Sequence, residues 1–101
     1  MPKLYEYFGL TVLFYSNEHE PVHVHGLFQG TESRAELVIE NGKVVSIHFS
    51  NVKGRRPLDE AHGESFKALV KVYADDIIQK WVDYFVLHKS IRSEKITRRI
   101  K

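Results

Sequence analysis

The chain has 101 residues, 43% of them hydrophobic and 28% charged, which is the balance of one globular domain and excludes a disordered or fibrous polymer. It has no cysteine, so disulfides, thiolate metal sites and cysteine nucleophiles are excluded, leaving histidine and carboxylate chemistry. The formal charge is only +2, but residues 89–101 hold Lys89, Arg92, Lys95, Arg98, Arg99 and Lys101 against Glu94 alone, while the remainder carries nine basic and twelve acidic side chains; an anionic partner would meet the tail.

No apolar run approaches the roughly 20 residues that cross a bilayer, and Met1-Pro2-Lys3-Leu4-Tyr5-Glu6 lacks the charged-then-apolar layout of a secretory signal. The expectation is a cytoplasmic protein with no membrane partner. The first element is a largely buried strand over Gly9-Leu10-Thr11-Val12-Leu13-Phe14-Tyr15, an apolar, β-branched run that ends at Ser16-Asn17. After the polar turn 16–20, Pro21 opens a second strand with Val22 and Val24 on one face and His23 and His25 on the other.

The plainest local signal is Asn41-Gly42, a two-residue turn between the strands Ala35–Glu40 and Lys43–Phe49. In its simplest register Ile39 faces Val44, Leu37 faces Ser46 and Ala35 faces His48, and this face is the more buried. The basic loop Lys53-Gly54-Arg55-Arg56-Pro57 follows, and beyond it alternation gives way to a helical period. Phe66, Leu69, Val70, Tyr73, Ile77, Trp81 and Phe85 form one stripe able to cover a sheet, on one long helix or on two with a break near Tyr73-Ala74-Asp75, where an aspartate can cap a second helix. Trp81 belongs to that stripe and reads as structural.

Strands followed by helices give an α+β fold, a small, mostly antiparallel sheet of three to four strands packed against one or two C-terminal helices. The single domain over 1–101 divides into a strand-rich half (1–52), a basic loop (53–57), a helical half (58–90) and a basic tail (91–101), in which Ile91, Ile96 and Ile100 interrupt the charges.

His23 and His25, two apart on a strand, project from one face close enough to reach one ion. His19 from the turn adds a third imidazole, and Glu18 or Glu20 a carboxylate ligand or general base. Three readings stand side by side: polar side chains on the exposed face of an edge strand, a site for a divalent metal such as zinc, and a surface for partner recognition or metal-free acid-base chemistry. Lys53, Arg55, Arg56, Arg98 and Arg99 are candidates for anion or nucleic-acid binding, against the plainer reading of a soluble loop and a solvated terminus. Phosphate-loop, Gly-x-Ser-x-Gly and His-Glu-x-x-His signatures are absent.

Phe8-Gly9 before an apolar strand, then Asn17-Glu18-His19-Glu20-Pro21-Val22-His23-Val24-His25, a hairpin and helices with Trp81, resembles the small bacterial proteins grouped as domain of unknown function 4160. That motif reads Asn-acid-His-x-Pro-Pro-His-Phe-His; Val22 and Val24 depart from it but keep the alternation, and the basic loop looks like an added segment. The family has no established biochemistry. The resemblance implies a small prokaryotic protein acting on a small protein partner in a toxin-antitoxin-like gene pair, more a binding or regulatory module than an enzyme. Its functional surface would be Asn17, Glu18, His19, Glu20, His23 and His25. The alternatives are a metal-dependent hydrolase or nuclease built on His19, His23 and His25, and non-catalytic nucleic-acid binding through the basic loop and tail. Homo-oligomerisation is left open.

Overall fold

The computed structural model describes residues 2–15 and 21–100. Six strands, β1 (Lys3–Tyr7), β2 (Leu10–Leu13), β3 (His23–Phe28), β4 (Thr31–Glu40), β5 (Lys43–Asn51) and β6 (Glu94–Ile96), form one mixed sheet in the order β5-β4-β3-β2-β1-β6. Helices α1 (Glu60–Val72) and α2 (Ala74–Trp81) cover one face, and α2 runs on into a π-helical turn, Val82–Val86. The α+β class and the helical half agree with the sequence reading, but three to four strands is an undercount. β1 is missed because Lys3-Leu4-Tyr5-Glu6-Tyr7 is short and carries charges at its outward positions. β6 lies within the tail, where charge hides it.

Three hairpins build the meander, and each turns on two residues of positive φ: Phe8-Gly9 (46° and 88°), Gln29-Gly30 (45° and 83°) and Asn41-Gly42 (53° and 77°). These mirror-image turns match the twist of the strands they join. In the last hairpin Ile39 faces Val44, but a β-bulge leaves Val45 without a partner, and beyond it Leu37 faces Ile47 and Ala35 faces Phe49. The extra residue turns Ile47 and Phe49 toward the helices and Ser46 and His48 away, which corrects the simple register.

The core lies between the helices and Tyr5, Tyr7, Leu10, Val12, Phe14, Val24, Ala35 and Leu37, with Phe66, Leu69, Val70 and Ile77 buried from the helical side. Gly26 is decisive here. A β-carbon on it would stand 2.7 Å from the ring of Phe66, so the bare backbone of β3 is the seat on which α1 rests. Asp59 caps α1 by accepting from the His62 amide at 2.8 Å, a bond that holds its carboxyl below the usual value. The helical stripe breaks at Tyr73 as the sequence indicates, although Asp75 falls inside the first turn of α2 and Tyr73, without a side-chain cap, takes the junction. Trp81 packs against Phe85 and the core edge.

The basic tail is ordered. β6 pairs parallel with β1, Ile96 and Ile100 pack on the core, and the Ile100 amide donates to the Tyr7 hydroxyl at 3.0 Å. Lys80 of α2 fastens it, with its ammonium 2.9 Å from Glu94 and 3.6 Å from Asp76. Those carboxylates outweigh its partial burial and raise its pKa. Tyr5, buried beneath, donates to Asp76, and desolvation first and that bond second push its phenol above the ordinary tyrosine range.

Gly26→Ala should lower the unfolding free energy by about 1–3 kcal/mol, because the added methyl overpacks against Phe66. Gly63→Ala in α1, where a β-carbon meets nothing within 4 Å, should be neutral or stabilising by up to about 1 kcal/mol. Urea unfolding of the two variants measures this contrast, and equal effects would show that Phe66 does not depend on Gly26.

Candidate functional site

Alternation along β3 separates its two faces. Val24 and Gly26 point to the helices, so His23 and His25 point to the opposite face of the sheet. The two histidines are nevertheless only 4% exposed, and β3 is an interior strand between β2 and β4. The reading of exposed side chains on an edge strand is therefore corrected. Strand order, which local sequence does not encode, makes the difference.

Beside His25 lies Glu32, on β4, which is 2% exposed. Its Oε2 lies 2.9 Å from His25 Nδ1 and accepts from the Tyr15 hydroxyl at 3.0 Å, while Oε1 is 3.6 Å from Nε of Arg55 in the basic loop. The Tyr15 ring stands edge-on to His25, with centroids 4.4 Å apart. His23 places Nδ1 2.7 Å from the carbonyl of Pro21, and its ring centroid is 5.1 Å from that of His25. A carbonyl only accepts, so in the neutral His23 ring Nδ1 carries the proton and Nε2 the lone pair, while the Glu32 carboxyl stands beside Nδ1 of His25. A backbone acceptor thus orients the His23 ring and a buried acid lies against the His25 ring, neighbours of the kind that position histidines as ligands or bases.

Sequence reasoning missed Glu32. Glu32, Arg34 and Glu36 alternate along the same face of β4, and nothing in the pattern separates the buried acid from the half-exposed Arg34–Glu36 pair beside it. The distinguishing signal is tertiary, because Tyr15 arrives from the chain after β2 and Arg55 from the loop. Asn17, Glu18, His19 and Glu20 lie outside the described residues. Among the described residues no group of three or more histidine, aspartate or glutamate side chains is placed to hold a metal ion. His48 is exposed on β5, 3.3 Å from the Ser46 hydroxyl and facing Glu36 across the ladder.

Lys53, Arg55 and Arg56 stand exposed in the loop between β5 and α1. That loop is tied down: the Glu32 amide donates to the Arg56 carbonyl at 2.8 Å and the Leu58 amide to the Ser33 hydroxyl at 3.1 Å. Arg98 and Arg99 follow β6, and the Arg99 guanidinium lies over the ring of Phe8.

Residues 9–82 match the profile of the domain of unknown function DUF4160. The chain belongs to the DUF4160 family. The matched span runs from the turn before β2 to the start of the π-helical turn, so it holds the whole histidine and Glu32 cluster and leaves β1 and β6 outside. No curated protein and no solved structure matches the chain. No helix in the described residues is long and apolar enough to cross a membrane.

Glu32→Ala removes the buried acceptor of the Tyr15 hydroxyl and the carboxyl beside His25 and Arg55, and should cost about 2–4 kcal/mol of stability. Glu36→Ala, on the same face of the same strand, should cost no more than about 0.5 kcal/mol. Chemical denaturation of the pair tests the assignment, and a mild Glu32 variant would mean that the buried cluster does not hold the loop to the sheet.

Proposed function

We propose that this DUF4160 protein is a small partner-binding module, the role the family resemblance implies for one member of a toxin-antitoxin-like pair, and that its contact runs along β5. One observation supports this reading. β5 is a nine-residue border strand with no buried residue, and from Val44 to Asn51 it has no charge, proline or glycine. Border strands of monomers are normally blunted by charge, proline or brevity, because their unpaired amides and carbonyls recruit other strands. An uncharged run this long suits a partner strand added to the sheet, with Val45, 53% exposed at the bulge, offering apolar contact.

The test is co-expression with the small proteins encoded by the adjacent reading frames. A stoichiometric complex is expected with one of them, weakened at least about ten-fold in a Val45→Lys/His48→Lys double variant that puts two charges on the exposed border. The absence of any complex, or one indifferent to these charges, would reject the reading.

A second reading, divalent-metal binding at the histidines, is favoured by His23 and His25 sharing a face with their rings 5.1 Å apart and an oxygen beside each Nδ1. Glu32 and the Pro21 carbonyl are the kind of acceptors that orient metal-bound imidazoles, and by this reading His19 would be the third ligand. Titration with zinc or cobalt(II) should then give about one equivalent bound, lost in His23→Ala and His25→Ala and weakened about 10–100-fold in Glu32→Gln. Equal binding by all four proteins would eliminate it, and hydrolase or nuclease chemistry would fall with it.

A further inference from the structure

We propose that the end of the sheet formed by the Phe8-Gly9 and Gln29-Gly30 turns and the first turns of α1 binds single-stranded nucleic acid. The proposal starts from Phe8. It occupies a left-handed turn position, φ 46°, where the other two hairpins carry Gln29 and Asn41, and it leaves its ring 46% exposed. The backbone there does not favour a phenylalanine, since polar side chains fit that conformation better. Strain and apolar exposure coincide at one residue, as they do where a side chain is held for a ligand.

The surroundings say what ligand. The Arg99 guanidinium lies over the Phe8 ring at 4.1 Å, and Tyr7 meets that ring edge-on at 4.8 Å. The turn abuts Phe28, whose ring comes within 3.1 Å of the β-carbon position of Gly9 and stacks on His62 at 3.5 Å with an interplanar angle of 18°. Between them opens a cleft of about 140 Å³ lined by Tyr7, Phe8, Ala61, His62, Ser65 and Arg99, with no carboxylate in its walls. Flat rings, a flat cation and one hydroxyl are the furniture of a base-stacking site, not of a groove for an apolar helix.

Charge points the same way. The Arg55 guanidinium donates to the Gly30 carbonyl at the neighbouring turn at 3.5 Å, and Arg55, Arg56, Arg98 and Arg99 are all exposed. Asp59, beside the cleft, is bonded to His62 at 2.8 Å and caps α1, so its charge is engaged within the protein. A strand whose bases stack on Phe8 and Arg99 would have its phosphates within the field of these arginines. Duplexes keep their bases stacked on one another and offer no ring to this cleft.

Fluorescence anisotropy of the isolated chain with fluorescein-labelled oligothymidylate and oligouridylate of roughly ten nucleotides tests this without the β5 partner. Binding is expected to weaken with salt by a slope of about 0.7 per phosphate contacted, and a duplex of equal length should bind less tightly. Phe8→Asn relieves the backbone strain and should fold at least as stably as wild type, yet bind about five-fold or more weakly. Arg99→Ala should lower both the affinity and the salt slope. Wild-type protein that ignores both oligonucleotides, or Phe8→Asn and Arg99→Ala variants that bind like wild type, would overturn the proposal, as would a preference for duplex.

Discussion

A carboxyl group buried in a protein needs polar partners around it, and this requirement at Glu32 organises the histidine-bearing face of the sheet. Its two oxygens draw on Tyr15 after β2, His25 on β3 and Arg55 in the loop that leads to α1. Three stretches far apart in sequence are thereby held at one point. The backbone bond from Glu32 to Arg56 adds a fourth tie, so the crossover from sheet to helices leaves from a fixed place. Moving the acid would release the loop and the imidazole together.

The two faces of the sheet divide the labour. On one, Gly26 lets Phe66 approach the backbone, and the helices bury an apolar core. On the other, away from both described helices, polar side chains are buried, which requires each to find polar partners among its neighbours. The borders differ as well: β1 is closed by β6, whereas β5 keeps its outer backbone groups unpaired within the sheet.

Much of the fold was legible where the signal is local. Asn41-Gly42 announces its hairpin, the helical stripe from Phe66 to Phe85 lies where its period puts it, and the junction at Tyr73 falls where the pattern allows it. Phe8-Gly9 and Gln29-Gly30 make the same kind of turn with residues that do not advertise it. The bulge at Val45 leaves no mark in an apolar run, and it shifts every pairing beyond it by one. The candidate site was half legible: the spacing of His23 and His25 put them on one face, but Glu32 and the burial of the rings arise from strand order and from residues that arrive from elsewhere.

The parallel pairing of β1 with β6 also bears on how the chain reaches this structure. From β1 to β5 every strand lies beside its predecessor, so the meander can grow by closing one short loop after another. β6 must instead cross the whole chain to find Tyr5, and its anchor, Lys80, is in position only after α2 has docked. Closure of that border is therefore the longest loop closure in the sheet, and it carries the matching entropic cost. The Glu94–Ile96 segment serves as a latch that ties the helical layer to the β1 side of the sheet through Lys80.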